Sequence, residues 1–150
     1  MKLYRIGSRR HALFDGMGAF LYGGRWNSPG RRIIYAAQSL SGARLELLVH
    51  LPSGDVPADH AWIEIEVPAD IRVEKLEEAD CPDWRAQDYA ATQAIGDQWY
   101  DGGASLLLSV PSVPAYAERN ILIHQAHPDF ARLTASNPHP LIWDSRLFSR

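Results

Sequence analysis

GGRWNSPGRRIIYAAQSLSGARLELLVH, from Gly23 to His50, is the stretch on which the fold turns. It passes from a glycine-rich loop to a short apolar strand and then to a helix. Gly23-Gly24 bring the chain to Arg25 with no Cβ in the way, which suits a positive φ or close approach to a ligand. Asn27-Ser28-Pro29-Gly30 carries a β-turn signature, with proline at i+1 and glycine at i+2 when Ser28 is position i. Ile33-Ile34-Tyr35-Ala36-Ala37 reads as a buried strand. Ser39 is an N-cap for a helix reaching about Leu51, and Pro52-Ser53-Gly54 ends it. At about 100° per residue, Leu40, Ala43, Leu47, Leu48 and Leu51 share one broad face and Leu45 and Val49 lie on another side, so the helix is expected to be mostly buried. Between these sides runs a stripe of Ser39, Gly42, Glu46 and His50. Gly42 leaves room for close approach beside Glu46, the only carboxylate on the helix.

Outward from this stretch, the chain supplies more of both kinds of element. Leu3 to Ile6 reads as a strand ending at Gly7, and Phe14 to Leu21, with Gly16 and Gly18, as a loop. Ala61-Trp62-Ile63-Glu64-Ile65-Glu66-Val67 alternates strictly, as a half-buried antiparallel strand does; Glu64 and Glu66 fall on its polar face. Ile71 to Val73 begins another short strand. A helix starting from Asp83 or Asp88 runs toward Tyr100 and stops at Asp101-Gly102-Gly103. Its aromatics, Trp84, Tyr89, Trp99 and Tyr100, read as packing or as a partner surface. Ser105 to Val110 and Ile121 to His124 are buried strands by composition, His127 to Phe130 turns the chain, and Pro140 to Asp144 with Leu147-Phe148 form a C-terminal strand. The order of elements is that of a single α+β domain over residues 1–150.

The 150 residues suffice for a proper core. With 46% hydrophobic and 22% charged residues, the chain reads as soluble and globular. Its net charge of −3, with no lysine- or arginine-rich run, argues against direct nucleic-acid binding. Cys81 is the single cysteine, so no internal disulfide forms. MKLYRIGSRR shows no apolar segment behind its charges and no run reaches a membrane span, so the expected compartment is the cytoplasm, with no membrane partner. The scattered histidines offer no H-E-x-x-H and no cysteine pair, so no metal is expected. No P-loop, no G-x-G-x-x-G and no G-x-S-x-G is present.

Four groups remain for chemistry, each with an ordinary reading beside the functional one. Arg25 is either an anion hook on a glycine-bounded loop, its planar guanidinium reading phosphate bidentately, or a surface ion-pair former. Tyr35 either fills the core or offers its ring as a wall for a flat heterocycle. Glu46 faces either a cleft or solvent. Ser112, stiffened between Pro111 and Pro114, is either a ligand contact at a strand end or a plain loop residue. Arg5, apart from these four, is a solvated edge residue or faces a site. Together these groups suit an anionic nucleotide and positive charge at a sugar carbon.

YRIG, GGRWNSPG, the IIYAA–helix unit carrying Glu46, VPS, and ERNILIHQAHPDF occur in an order that resembles the RES-domain toxins. The resemblance runs from Tyr4 to about Phe148. It implies a split, mixed β-sheet with flanking helices, similar to ADP-ribosyltransferases. It also implies a toxin of a bacterial type II toxin–antitoxin system that depletes NAD+ by hydrolysis or phosphorolysis of the nicotinamide–ribose bond. NAD+ would be the substrate, with no prosthetic group, and the partner a cognate Xre-type helix-turn-helix antitoxin, with a homodimer possible inside that complex. One branch of the family instead ADP-ribosylates a protein. Carried over by position, Arg25 would hold a phosphate or ribose, Tyr35 would flank the nicotinamide, Glu46 would stabilise the transition state and Ser112 would complete the cleft. Arg5 and Asn120 would be further contacts. A catalytically silent nucleotide- or partner-binding module is the reading from another class.

Overall fold

In a computed structural model that describes residues 1–52 and 55–149, one open mixed sheet carries the chain. Its strands are β1 (Lys2–Ser8), β2 (Ile33–Ala37), β3 (His60–Glu66), β4 (Val73–Lys75), β5 (Leu107–Pro111), β6 (Arg119–His124), β7 (Thr134–Ala135) and β8 (His139–Pro140). The helices are α1 (Met17–Tyr22), α2 (Leu40–Val49) and α3 (Ala90–Gly102). The strand order is β4-β5-β6-β2-β1-β3-β7, with β8 also on β3. Among the described residues, only β4 and β5 pair in parallel. A parallel pair needs a crossover, and α3 lies within it.

The central strands are buried on both faces, which is why they read as continuous apolar runs. Ile34, Ala36, Leu107, Ile121 and Ile123 enter one core with Leu3, Ala61, Ile63, Ile65 and Val67. Ile33, Leu108, Val110 and Leu122 enter another with Trp26, Trp84 and Trp99. The alternation of β3 is as expected: its apolar side is fully inside, while Glu64 pairs with Lys2 at 2.9 Å.

The sheet is split near its middle. β1 pairs with β3 along seven residues, from Lys2↔Glu66 to Ser8↔His60, and β2 pairs with β6 along five, from Ile33↔His124 to Ala37↔Asn120. Yet β1 and β2 meet in register at Tyr4↔Ala37 alone. Beyond that point they diverge, and the gap is the mouth of a cleft.

Several expectations are corrected. Phe14 to Leu21 is not all loop: Met17–Tyr22 makes a helical turn whose Phe20 and Gly23 amides bond back to Gly16 and Ala19. α2 begins after the Ser39 cap, which accepts from the Gly42 amide, but it is not mostly buried. Only Gly42 and Ala43 are inside, and Leu45 and Val49 are exposed. The helix lies over the split, packed on β1 and β2 along one side, and its other sides meet cleft and solvent. The C-terminal strand is reduced to His139–Pro140, followed by a 3₁₀ turn at Ser145–Leu147. β4 is Val73–Lys75 instead of starting at Ile71, and β5 starts at Leu107 and reaches Pro111. α3 starts at Ala90, with the Asp88 carboxylate accepting from the Ala90 amide at 2.9 Å. Ser53 and Gly54, expected to end α2, lie outside the described residues.

Candidate active site

A cleft of about 770 Å³ opens at the split, between α2, the β5–β6 hairpin and the Gly23–Trp26 loop. Arg5, Arg25, Tyr35, Glu46 and Asn120 all line it. Ser112 does not. It is buried behind the wall, while its neighbours Pro111, Val113 and Pro114 face the cavity.

Glu46 projects from the middle of α2 toward the end of the hairpin. The Ser112 hydroxyl donates to its Oε1 at 2.8 Å, and the Asn120 amide donates to the same oxygen. Oε2 has no bond to any described residue. The carboxylate is therefore fixed through one oxygen and free at the other. Ser112 in turn accepts from the Ala115 amide at 3.1 Å, and the Ser112 amide closes the hairpin on the Glu118 carbonyl. The hairpin's tight path needs Ala117 at φ 69°, the one non-glycine positive φ among the described residues. At the other end of α2, Glu118 Oε2 accepts from the Ser39 hydroxyl at 2.7 Å and fills the space that Gly42 leaves, 2.7 Å from where a Cβ would stand. The group that approaches α2 beside Glu46 is thus the protein's own Glu118.

Arg25 and Trp26 form the tip of a two-residue hairpin, closed by Gly24 N–H to Asn27 O at 2.9 Å. Trp26 turns into the core and Arg25 turns to the cleft. Gly23 holds φ 70°, and Pro29-Gly30 make the expected turn with Gly30 at φ 101°. The Arg25 Nη1 donates to the carbonyls of Trp84 at 3.0 Å and Ala86 at 2.8 Å, and the guanidinium lies 4.5 Å above the Tyr89 ring. Its Nε and Nη2 have no partner among the described residues. The arginine is neither the loose surface residue nor part of an ion pair; it is held by carbonyls with one edge of the fork left over.

Tyr35 presents its ring to the cleft while its hydroxyl is engaged: it donates to Asn27 Oδ1 at 2.7 Å and accepts from the Trp26 amide at 3.1 Å. Burial pushes this phenol well above the ordinary tyrosine value, against the opposing pull of the Trp26 amide. It stays a neutral wall and a brace for the arginine loop. Arg5 donates from Nη1 to the Tyr35 carbonyl at 2.9 Å across the split, and its Nε is buried with no partner. Burial lowers its pKa, with nearby Asp15 opposing. No salt bridge holds it among the described residues. A sequestered cation with spare donors and no carboxylate favours an anion beside it.

The chain's match to the RES domain model spans residues 2–144. It belongs to the RES-domain family. Toxin Res of Yersinia enterocolitica is 38% identical over 98% of this chain and 99% of its own. Toxin Res of Pseudomonas putida is 36% identical over 99% of this chain and 100% of its own. The Prs ADP-ribosylating toxin of Sphingobium sp. is 37% identical over 91% of this chain and 87% of its own. In shape, this RES domain is similar to a chain of the M. tuberculosis MbcT–MbcA toxin–antitoxin complex. The TM-score is 0.76 at 20% identity, covering 93% of this chain and 83% of that one, a likeness of fold.

Among the described residues of this RES domain, no group of three or more His, Cys, Asp or Glu is placed to hold a metal ion, and no helix is long and apolar enough to cross a membrane. Sequence reasoning passed over three residues that shape the cleft. Asn27, fully buried, takes the Tyr35 hydroxyl. Tyr89 lies under Arg25, and Thr92 bonds the Arg25 carbonyl. A turn asparagine and a helix threonine carry no pattern of their own; only a buried polar residue's need for a partner could have flagged them, and burial is not written in the sequence.

Proposed function

We propose that this RES domain is the toxin of a toxin–antitoxin pair and that its cleft cleaves the nicotinamide–ribose bond of NAD+. The observation that carries the reading is the carboxylate of Glu46, pinned through Oε1 and open at Oε2, across a cleft with two cationic side chains that have donors to spare. The volume suits a dinucleotide in part or whole. Arg5 and the free edge of Arg25 would take phosphate oxygens, and Tyr35 would give its face to a flat ring.

In this reading the C–N bond between ribose and nicotinamide breaks and its electron pair leaves with the neutral pyridine, so the leaving group needs no proton. Positive charge grows on the ribose carbon and ring oxygen, as in glycoside cleavage. Glu46 stabilises that charge without being consumed, because its orientation is set before reaction. Water attack gives ADP-ribose, nicotinamide and a proton; phosphate attack gives the phosphorylated sugar instead. The partner would be an Xre-type helix-turn-helix antitoxin that blocks the cleft, with a homodimer of the toxin inside the complex. The similarity of fold to a chain of a toxin–antitoxin complex supports an antitoxin partner.

A second reading is transfer of ADP-ribose to a protein, favoured by the 37% identity to a relative named as an ADP-ribosylating toxin. One experiment separates the two. Purified protein is incubated with NAD+, with and without phosphate, and the products are identified. Free nicotinamide with a matching sugar nucleotide and no added protein supports cleavage; release only with a protein acceptor supports transfer; intact NAD+ in every arm rejects both.

A further inference from the structure

Helix α3 shows a face built for one purpose. Tyr89, Thr92, Gln93, Gly96, Asp97 and Tyr100 follow one another at spacings of three and one, so they form a single stripe along its length. Each meets the arginine loop or its flank. Tyr89 stacks under the Arg25 guanidinium. The Thr92 hydroxyl donates to the Arg25 carbonyl, and Gln93 Nε2 donates to the carbonyls of Gly24 at 2.9 Å and Asn27 at 3.2 Å. Gly96 lets the backbone rest directly on the helix: a Cβ there would stand 1.7 Å from the Trp26 carbonyl oxygen. The Asp97 carboxylate accepts from the Ser28 amide at 2.9 Å and from its hydroxyl at 2.6 Å, and the Tyr100 hydroxyl accepts from the Arg32 amide at 3.2 Å.

We infer that α3 is the positioning element of the anion-binding arginine, with Thr92 and Gln93 as its positioning residues. The inference rests on the NAD+ reading of the cleft. A two-residue hairpin tip leaves its carbonyls pointing outward, and a loop with free carbonyls samples many orientations. The Arg25 carbonyl at the tip is instead satisfied by Thr92, and the Gly24 and Asn27 carbonyls, which already close the hairpin on each other's amides, are held further by Gln93, both from one helix. Thr92 is almost wholly buried, so its hydroxyl has no role toward solvent. The consequence for ligand binding is preorganisation: the guanidinium meets the anion without first having to be ordered. Neither residue lines the cleft, so their loss weakens binding more than turnover.

The test is kinetic. Thr92→Val keeps the shape and removes the hydroxyl; Thr92→Ser keeps the hydroxyl. In nicotinamide release from NAD+, Thr92→Val is expected to raise KM on the order of tenfold with kcat within about twofold, and Thr92→Ser to restore most of the loss. In an Arg25→Ala background, Thr92→Val is expected to change KM no further, because the residue acts through Arg25. Where Thr92→Val does not fold, Gln93→Met at the half-buried neighbouring position makes the same comparison. A wild type that neither binds nor consumes NAD+ removes the proposed function and this inference with it. An active wild type beside folded variants with unchanged KM, or a full additional effect in the Arg25→Ala background, overturns the positioning role alone.

Discussion

The two walls of the cleft are held in opposite ways. On the Glu46 wall, the functional group itself is gripped: Ser112, just past the end of β5, and Asn120, on β6, donate straight to the carboxylate. On the Arg25 wall, the grip is on the backbone and on one nitrogen, through α3 and the Trp84 and Ala86 carbonyls. The difference follows from charge. A carboxylate accepts from neutral donors and keeps its negative charge for a developing cation. A guanidinium held by a second carboxylate would have its charge spent before an anion arrived, and carbonyls fix its direction without cancelling it. In the proposed function, one wall would serve the transition state and the other the ground-state ligand.

That contrast is broken most readily at Glu46. Glu46→Gln removes the charge and little else, so kcat for nicotinamide release is expected to fall roughly 10²–10³-fold while KM moves little. Full activity in the folded variant would leave the carboxylate without a catalytic role. Arg25→Lys is the matching change on the other wall. Lysine keeps a point charge but cannot engage two carbonyls and an anion from one plane. The expected loss is on the order of 1.5–3 kcal/mol in kcat/KM, chiefly through KM; an unchanged KM would return Arg25 to the surface in function.

Ser112→Ala tests the grip rather than the group. It leaves the buried Ala115 amide without its acceptor and frees Glu46 from one of its donors. Thermal denaturation is expected to show a loss of about 1–3 kcal/mol. The remaining bond from Asn120 should leave kcat well above that of Glu46→Gln; equal losses would make Ser112 a direct participant.

The smallest expected effect lies behind the arginine wall. His124, on β6, is buried against Tyr100, with ring centroids 3.8 Å apart, and its Nε2 meets the Tyr100 carbonyl at 3.0 Å. Burial lowers its pKa below the ordinary value, the Tyr100 carbonyl opposing. The fold therefore favours the neutral ring. As pH falls below about 6.5, the unfolded chain takes up a proton that the folded one resists, so stability declines toward acid. His124→Gln should flatten that slope between pH 7 and 5 in denaturant titrations; an unchanged slope would assign the acid sensitivity elsewhere.

Local chemistry written in the sequence determined several parts of this protein by itself. The strict alternation of Ala61 to Val67, the continuous apolar run at Ile33 to Ala37 and the Ser39 cap each have one physical outcome: a period of two with one buried face, a strand buried on both faces, and an orphan amide that needs an acceptor. The motif order pointed to the RES-domain family, to which the chain belongs. Periodicity, however, says which residues share a face and not what covers it. The apolar sides of α2 predicted burial, but the helix lies across a split sheet, and among the described residues nothing buries Leu45 and Val49. Nor could spacing place Ser112 behind Glu46 instead of in the cavity, or bring Thr92 to the carbonyl of Arg25, 67 positions away. Those contacts exist only because the β4–α3–β5 crossover and the β5–β6 hairpin fold distant segments onto one cleft. A buried hydrogen-bonding group finds its partner in space, whatever the distance along the chain.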